Sequence, residues 1–340
     1  MADNYFCLDI DEKFTKVIDA KRAGDSIDIS SIGKVETSDS FFNSNLEKTI
    51  DIEVAQIKKL LETLHITKKN VSLIIPDNLT YSQIISMPLL NEKELITAIK
   101  YQADQFIPMP IEETNIDIEV ISEDQKEKKV LLLIVAAPKK VIERIQTTVE
   151  LAGLNPESVE NELSANARFV NSFNRNILSQ YKADQSQGLI IANFDNTSTS
   201  LCYFSPIDMI LKDVHHLSIG YQLFLKETQI NTDTDIKKSE EMLRVYSSKN
   251  PSSFPLEKIV QPLIKEFSNE LKLFINKHNA TILFSNKIFL FPSLVNSLTR
   301  ELGMPINIFD LGPLFKNSTL VDAYKNEISL FIPSIGGNLR

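Results

Sequence analysis

Apolar and polar positions alternate along the chain with two distinct periods, and the first stretch to show a pattern returns later. Over residues 5–17 the order Y-F-C-L-D-I-D-E-K-F-T-K-V gives a short apolar strand, an Asx-x-Asp turn with a polar tip, and a return to apolar alternation. The stretch 189–203, L-I-I-A-N-F-D-N-T-S-T-S-L-C-Y, has the same construction, with Asn193 in the place of Asp9. A strand, a tight polar turn and a second strand expose backbone N–H groups at the hairpin tip. Two such tips facing each other across a cleft can hold the phosphates of one nucleotide. The repeat predicts a duplicated, two-lobed α/β chain.

Between and after these hairpins the pattern alternates strand and helix. A third strand is expected near 27–32, then a helix that places Val54, Ile57, Leu60, Leu61 and Leu64 at helical spacing. An apolar strand follows over 71–75 and stops at Pro76. The next helix, 92–107, begins at Asn91 with Glu94 completing a capping box. It carries Leu95, Ile99, Ala103 and Phe106 as its buried stripe, and Pro108 and Pro110 end it. Residues 116–121 read as a half-buried strand, 123–129 as a charged hairpin tip, 130–137 as a wholly apolar strand, and 139–151 as a helix stopped by Gly153.

One long helix is expected over 160–178, with the polar run 182–187 joining the lobes. Beyond the second hairpin come a helix after Gly220, a polar stretch 231–249 with a short helix, and a strongly amphipathic helix 256–276. A buried strand 281–285, a helix 292–302, a strand 305–308 and a helix from Leu320 complete the chain. The expected organisation is a first-lobe core of 1–85 plus 159–182 with 86–158 inserted as a subdomain. The second-lobe core is 183–226 plus 281–340, with 227–280 as its helical subdomain.

Charge and composition narrow the function. A net charge of −9 and a pI near 5.2 argue against nucleic acid as the ligand, because a phosphate groove needs clustered Lys and Arg. The sequence shows neither a basic, apolar leader nor a run approaching a membrane span, so a cytoplasmic protein without direct membrane insertion is expected. Cys7 and Cys202 lie inside apolar strands and read as small buried side chains. His215 and His216 are adjacent in a strand-like segment, point to opposite faces, and cannot chelate one metal together. Asp117 and Glu119 alternate with Ile116, Ile118 and Val120, and like Glu112 and Glu113 read as a solvated face rather than a paired-carboxylate site.

The run T-A-I-K-Y-Q-A-D-Q-F-I-P-M-P-I-E-E-T-N-I-D-I-E-V, 97–120, resembles PilM-type proteins, the actin-like cytoplasmic components of type IV pilus assembly. Further segments agree in order and spacing: L-D-I-D-E-K-F-T-K, V-E-L-A-G-L, E-N-E-L-S-A-N-A, L-S-I-G-Y-Q-L and the terminal S-I-G-G-N-L-R. The resemblance implies an actin-like (ribonuclease H-like) two-lobed fold with an FtsA-type inserted subdomain, and a site for ATP with Mg²⁺. On this chain the first phosphate turn would be Asp9, Asp11, Lys13, Thr15 and Lys16, with Asp9 holding the metal. The second would be Asn193, Asp195, Asn196 and Thr197, followed by Gly220. Glu266 stands at the ribose-contacting position, and Ser285 and Asn286 in the adenosine loop.

The same positions depart from the family pattern. Its phosphate turns read Asp-x-Gly, since a residue without Cβ lets a phosphate approach the backbone. Here Asp11 and Asp195 replace both glycines and Asn193 replaces the second Asp, while the Ser-Gly-Gly adenosine loop reads Ser285, Asn286, Lys287. A carboxylate ~5 Å from a phosphate charge, at an effective dielectric near 20, costs about 3 kcal/mol before metal screening. Weak ATP binding or none is the expectation, with no catalytic residue named.

The resemblance also implies a partner, the cytoplasmic N-terminal peptide of a PilN-type membrane protein, held in a groove beside the inserted subdomain. Ile84, Ile85 and Met87 are the candidate wall. The alternatives are a working ATPase or sugar kinase of the actin superfamily, an FtsA-like tether, whose amphipathic terminal helix is lacking here, and a GspL-like secretion component.

Overall fold

The alternation that opens the chain folds as a hairpin. Strands β1 (Tyr5–Ile10) and β2 (Phe14–Ala23) pair antiparallel with Asp9 opposite Lys16 and Ile10 opposite Thr15. β3 (Ser26–Glu36) continues the antiparallel run, and β4 (Asn70–Ile75) and β8 (Asn155–Asn161) add in parallel on the other side, giving the order β3-β2-β1-β4-β8. One face of this sheet is covered by α1 (Glu47–Thr63) and α2 (Lys139–Leu151). Ile57 and Leu61 from α1 and Ile145 and Val149 from α2 share a core with Phe6, Leu8, Ile10 and Val17. The structure is a computed structural model, and it describes all residues except 1–4, 45, 91–93, 96, 100–106, 182–185, 207, 247–255 and 317–318.

A smaller antiparallel sheet belongs to the same unit, with β5 (Tyr81–Pro88) and β6 (Thr114–Asp124) flanking β7 (Lys129–Pro138). Its core joins Val130, Leu132, Ile134 and Ala136 to Leu95, Ile99 and Ile107, so the apolar strand and the expected helix 92–107 do pack on each other where described. Residues 94–95 and 97–99 are helical, while the Asn91 cap, Ala103 and Phe106 lie outside the described residues.

The second unit repeats the first sheet's topology. β9 (Gly188–Phe194), β10 (Thr199–Phe204) and β11 (Leu211–Leu217) are antiparallel neighbours, and β12 (Ala280–Asn286) and β13 (Ile306–Ile308) add in parallel, in the order β11-β10-β9-β12-β13. Asn193 is opposite Ser200 and Phe194 opposite Thr199, the same register as Asp9 with Lys16 and Ile10 with Thr15. Helices α4 (Tyr221–Thr232), α5 (Ile236–Val245), α6 (Leu256–Ile275) and α7 (Ser293–Leu302) complete the unit. Behind the hairpin, the Phe194 ring lies 6.0 to 6.5 Å from those of Phe267, Phe224 and Phe284.

Three boundaries differ from the sequence reading. The helix expected over 160–178 is α3 (Glu162–Gln180), preceded by β8, a strand that N-P-E-S-V-E-N conceals because Pro156 and its carboxylates are tolerated only at a sheet edge. α3 leaves helical geometry at Phe173 (φ −124°, ψ 21°), and the compact units divide there. Second, α2 lies within 86–158 and β8 begins there, yet they serve the first sheet's core and edge. Third, residues 314–323 and 331–340 belong to the first unit, not to the second lobe as 281–340 implied. The short helices α8 (Thr319–Asp322) and α9 (Ile332–Gly337) are its last elements, and Gly336 and Gly337 let α9 lie against the Ala165 backbone and the Cys7 sulfur.

Candidate functional site

The first hairpin tip is a knot of charge with no exposed side chain at its centre. Asp9, Asp11, Lys16 and Glu162 are all fully buried. The Lys16 ammonium lies 2.9 Å from Asp9 Oδ2, 2.9 Å from Asp11 Oδ2 and 3.8 Å from Glu162 Oε1. Ser334 on α9 donates its hydroxyl to Asp9 Oδ2 at 3.0 Å. The other oxygen of Asp11 accepts the backbone N–H groups of Lys13 (2.6 Å) and Phe14 (2.8 Å), an Asx turn that curls the tip around its own carboxylate. Backbone donors at a hairpin tip, with a lysine beside them, are what a phosphoryl oxygen would use. Here the Asp11 carboxylate takes them, so the turn as folded does not offer a phosphate its donors.

Three acids around one ammonium set the electrostatics. Burial raises the Asp9 carboxyl to about 6, Lys16 opposes that rise, and Asp11 adds to it. Burial alone would lower the Lys16 ammonium, but Asp11, Asp9 and Glu162 outweigh it and hold its pKa well above the ordinary lysine value. The ammonium therefore stays charged, and Asp9 is held toward its protonated form. Lys16 is not the solvated hairpin lysine its residue type suggests. It is the cation of a buried cluster.

The second hairpin meets a different cation. Asn193, Asp195, Ser285, Asn286 and Lys287 are all buried. The Lys287 ammonium pairs with Asp195 Oδ1, and Asn286 donates its amide to Asn193 Oδ1 at 3.0 Å. The tip is closed by Asp195 N–H to the Ser198 carbonyl (2.9 Å). The start of α4 docks on it, Tyr221 and Gln222 donating their N–H groups to the Asp195 and Asn196 carbonyls at 2.9 and 2.7 Å. Gly220 makes this approach possible, since a Cβ there would sit 2.5 Å from the Ser198 nitrogen and 2.6 Å from the Asn196 oxygen.

The remaining expected residues scatter. Lys13 contributes its backbone to the Asx turn. Thr15 points to the opposite face of its strand from Lys16, where its hydroxyl bonds the buried Glu53 carboxylate and lies 3.0 Å from that of Thr37. Asn196 and Thr197 are half-buried at the second tip, and Glu266 is exposed on α6, a solvated surface acid. Ile84, Ile85 and Met87 do not form one wall. Strand alternation puts Ile84 opposite Leu133 on one face of the small sheet, while Ile85 and Met87 pack into the core with Leu132 and Ile134.

Sequence reasoning did not place Glu162, Ser334 or the target of Lys287. No spacing rule joins Asp9 to a residue so far along the chain as Ser334. Among the described residues no group of three or more His, Cys, Asp or Glu side chains is placed to hold a metal ion. His215 is exposed and His216, a neighbour on β11, has its Nδ1 3.0 Å from Ser200 Oγ.

Comparison with known proteins adds the context for this geometry. The family model for type IV pilus assembly protein PilM matches residues 7–282. Among solved structures, a PilM-PilN type IV pilus biogenesis complex is similar over 99% of this chain and 99% of that one, with a TM-score of 0.81 at 16% identity. The ethanolamine utilization protein EutJ from Carboxydothermus hydrogenoformans is similar over 98% of this chain and 88% of that one, with a TM-score of 0.55 at 10% identity.

Proposed function

Since this chain belongs to the PilM family of type IV pilus assembly proteins and has its two-lobed, actin-like α/β fold, we propose that it is a scaffold of the pilus assembly platform. In this reading it works on the cytoplasmic side of the inner membrane, binds the cytoplasmic N-terminal peptide of a PilN-type membrane protein, and needs no nucleotide to do so. The partner is supported by the solved PilM-PilN complex. Among the described residues no helix is long and apolar enough to cross a membrane, and the bitopic partner supplies the anchor.

Nucleotide independence is carried by one observation, the Asp11 carboxylate seated on the Lys13 and Phe14 N–H groups and on the Lys16 ammonium. A triphosphate would have to displace an anion covalently fixed among those donors and then face two further buried carboxylates, Asp9 and Glu162. The small sheet is the platform for the peptide. An extended peptide can add to a sheet edge or lie on an apolar face, and Ile84, half-buried on the face shared with Leu133, is a side chain such a peptide can touch.

The test is calorimetry of the full chain with a synthetic peptide from the start of the PilN-type protein encoded alongside, with and without Mg-ATP. Micromolar binding unchanged by Mg-ATP is expected. Ile84→Asp should weaken it by about tenfold or more, roughly 1.4 kcal/mol. Ile85→Asp should instead destabilise the small sheet, since it introduces a charge into that core. No binding of the peptide under either condition would overturn the scaffold reading.

A second reading, retained ATP binding, is favoured by a cavity of about 490 Å³ in the second unit. Phe289, Pro292 and Phe309 line it together with Arg244 and Lys325, and its size suits a small ligand. Low-micromolar Mg-ATP binding in the same calorimetry would decide for it.

A further inference from the structure

The second hairpin carries its counter-charge in a way the first does not. In the first unit the cation is Lys16, directly opposite Asp9 on the neighbouring strand. The corresponding partner of Asn193 is Ser200, which has no charge to give and bonds His216 instead. The cation arrives from the turn after β12. Asn286 there has φ 64° and ψ −123°, the first central position of a type II′ turn, which favours glycine. A side chain has been accepted on a glycine backbone, and the next residue, Lys287, is thereby aimed inward until its ammonium meets Asp195 with neither side chain left in water.

We propose that Lys287 is a tethered cation that stands in for an exogenous metal ion or ligand at the second hairpin. One buried ammonium meets one buried carboxylate at the tip, and the Asn286 amide on Asn193 fixes the turn that delivers the lysine. Lys287 occupies Asp195 Oδ1 while Oδ2 is buried without a hydrogen bond, so a metal ion entering there would have to share the carboxylate with an ammonium whose whole side chain is buried. The Asp195 and Asn196 carbonyls are likewise already satisfied by the first N–H groups of α4. Lys287 and its turn thus make the second unit's hairpin independent of Mg²⁺ and nucleotide. The inference shares with the scaffold reading only this independence and does not require that a peptide bind.

Thermal unfolding of the full chain tests it, in EDTA, in Mg²⁺, in Mg-ATP and in propylammonium, the detached head of the lysine. The wild-type Tm should be the same in all four. Lys287→Gly leaves Asp195 buried and unpaired, and its Tm should fall by about 6–20 °C. Propylammonium should recover part of that loss. The neutral pair Asp195→Asn with Lys287→Gln should keep most of the wild-type Tm and show no recovery. Should Lys287→Gly fail to fold, this double variant decides: folding without any added cation supports the inference, and failure to fold overturns it. A wild-type Tm raised by Mg²⁺ or Mg-ATP, a Lys287→Gly variant as stable as wild type, or equal recovery in the double variant would also overturn it. Peptide binding by a wild-type protein whose Tm rises with Mg²⁺ would sink this inference and the independence it shares with the scaffold reading, and leave the peptide-binding role standing.

Discussion

Asp9 is a carboxyl group held at about 6 by burial, and its ionisation should therefore weigh against folding in a pH window that can be named. In the unfolded chain the group titrates near 3.8 and in the folded one near 6, so between those values the native state binds the extra proton. Stability contributed by the protonated form is present below the unfolded value and is lost as pH rises through the folded one. That displacement of the carboxyl corresponds to about 3 kcal/mol over the whole window, of which about 2 kcal/mol falls between roughly pH 4.5 and 7.5. Asp9→Asn keeps the shape of the neutral acid, and its amide oxygen can still accept from Lys16 and Ser334, which now meet on Oδ2. It cannot titrate. Urea unfolding of both proteins across that range should show the variant gaining about 2 kcal/mol on the wild type as pH rises, whatever their offset at the acid end. Parallel pH profiles would refute the reasoning, and a variant that loses ground with rising pH would show that the Lys16 ion pair outweighs burial.

The backbone at Asn286 makes a second expectation. Replacing it with Gly relieves about 1–3 kcal/mol of strain while losing one amide bond, so stability should change by less than about 1 kcal/mol or rise. Asn286→Ala keeps the strain and loses the bond, and should unfold at lower urea than the Gly variant; the reverse order would refute a strained turn. Gly336→Ala puts a Cβ 2.0 Å from the Ala165 carbonyl oxygen, so α9 must lift from α3 at about 3 kcal/mol or more. Wild-type stability in that variant, by the same assay, would show that α9 does not rest on α3.

Much of this fold is written in hydrophobic period. The second hairpin, the helix 139–151 and the apolar strand near 130–137 appear within a residue or two of their expected bounds, while the first hairpin's return strand runs on to Ala23, six residues past the expected end. β8 escaped because an edge strand pairing on one side needs no apolar face, and N-P-E-S-V-E-N has none. Ile84, Ile85 and Met87 lay on the expected strand, yet adjacent residues in a strand face opposite ways, so they never formed one wall. Departure of the two turns from Asp-x-Gly was visible in the letters. What replaced the glycines' function was not, because the Asp11 Asx turn, the Ser334 hydroxyl and the reach of Lys287 depend on geometry between residues that no periodicity connects.

The duplicated hairpins solved one physical problem in two ways. A buried Asp at a hairpin tip is a charge that must be matched. In the first unit the lysine opposite Asp9 serves Asp11 as well, and three acids share one cation. Burial pushes Asp9 toward its neutral form, Lys16 opposes that, and the Asp11 charge adds to it. In the second unit Ser200 offered no such charge. The Asp195 carboxylate is paired by a lysine from another loop, and Asn193 stands where the first unit has an acid. Both tips therefore hold a buried Asp against a buried lysine, and the two lysines come from positions that are not equivalent in sequence.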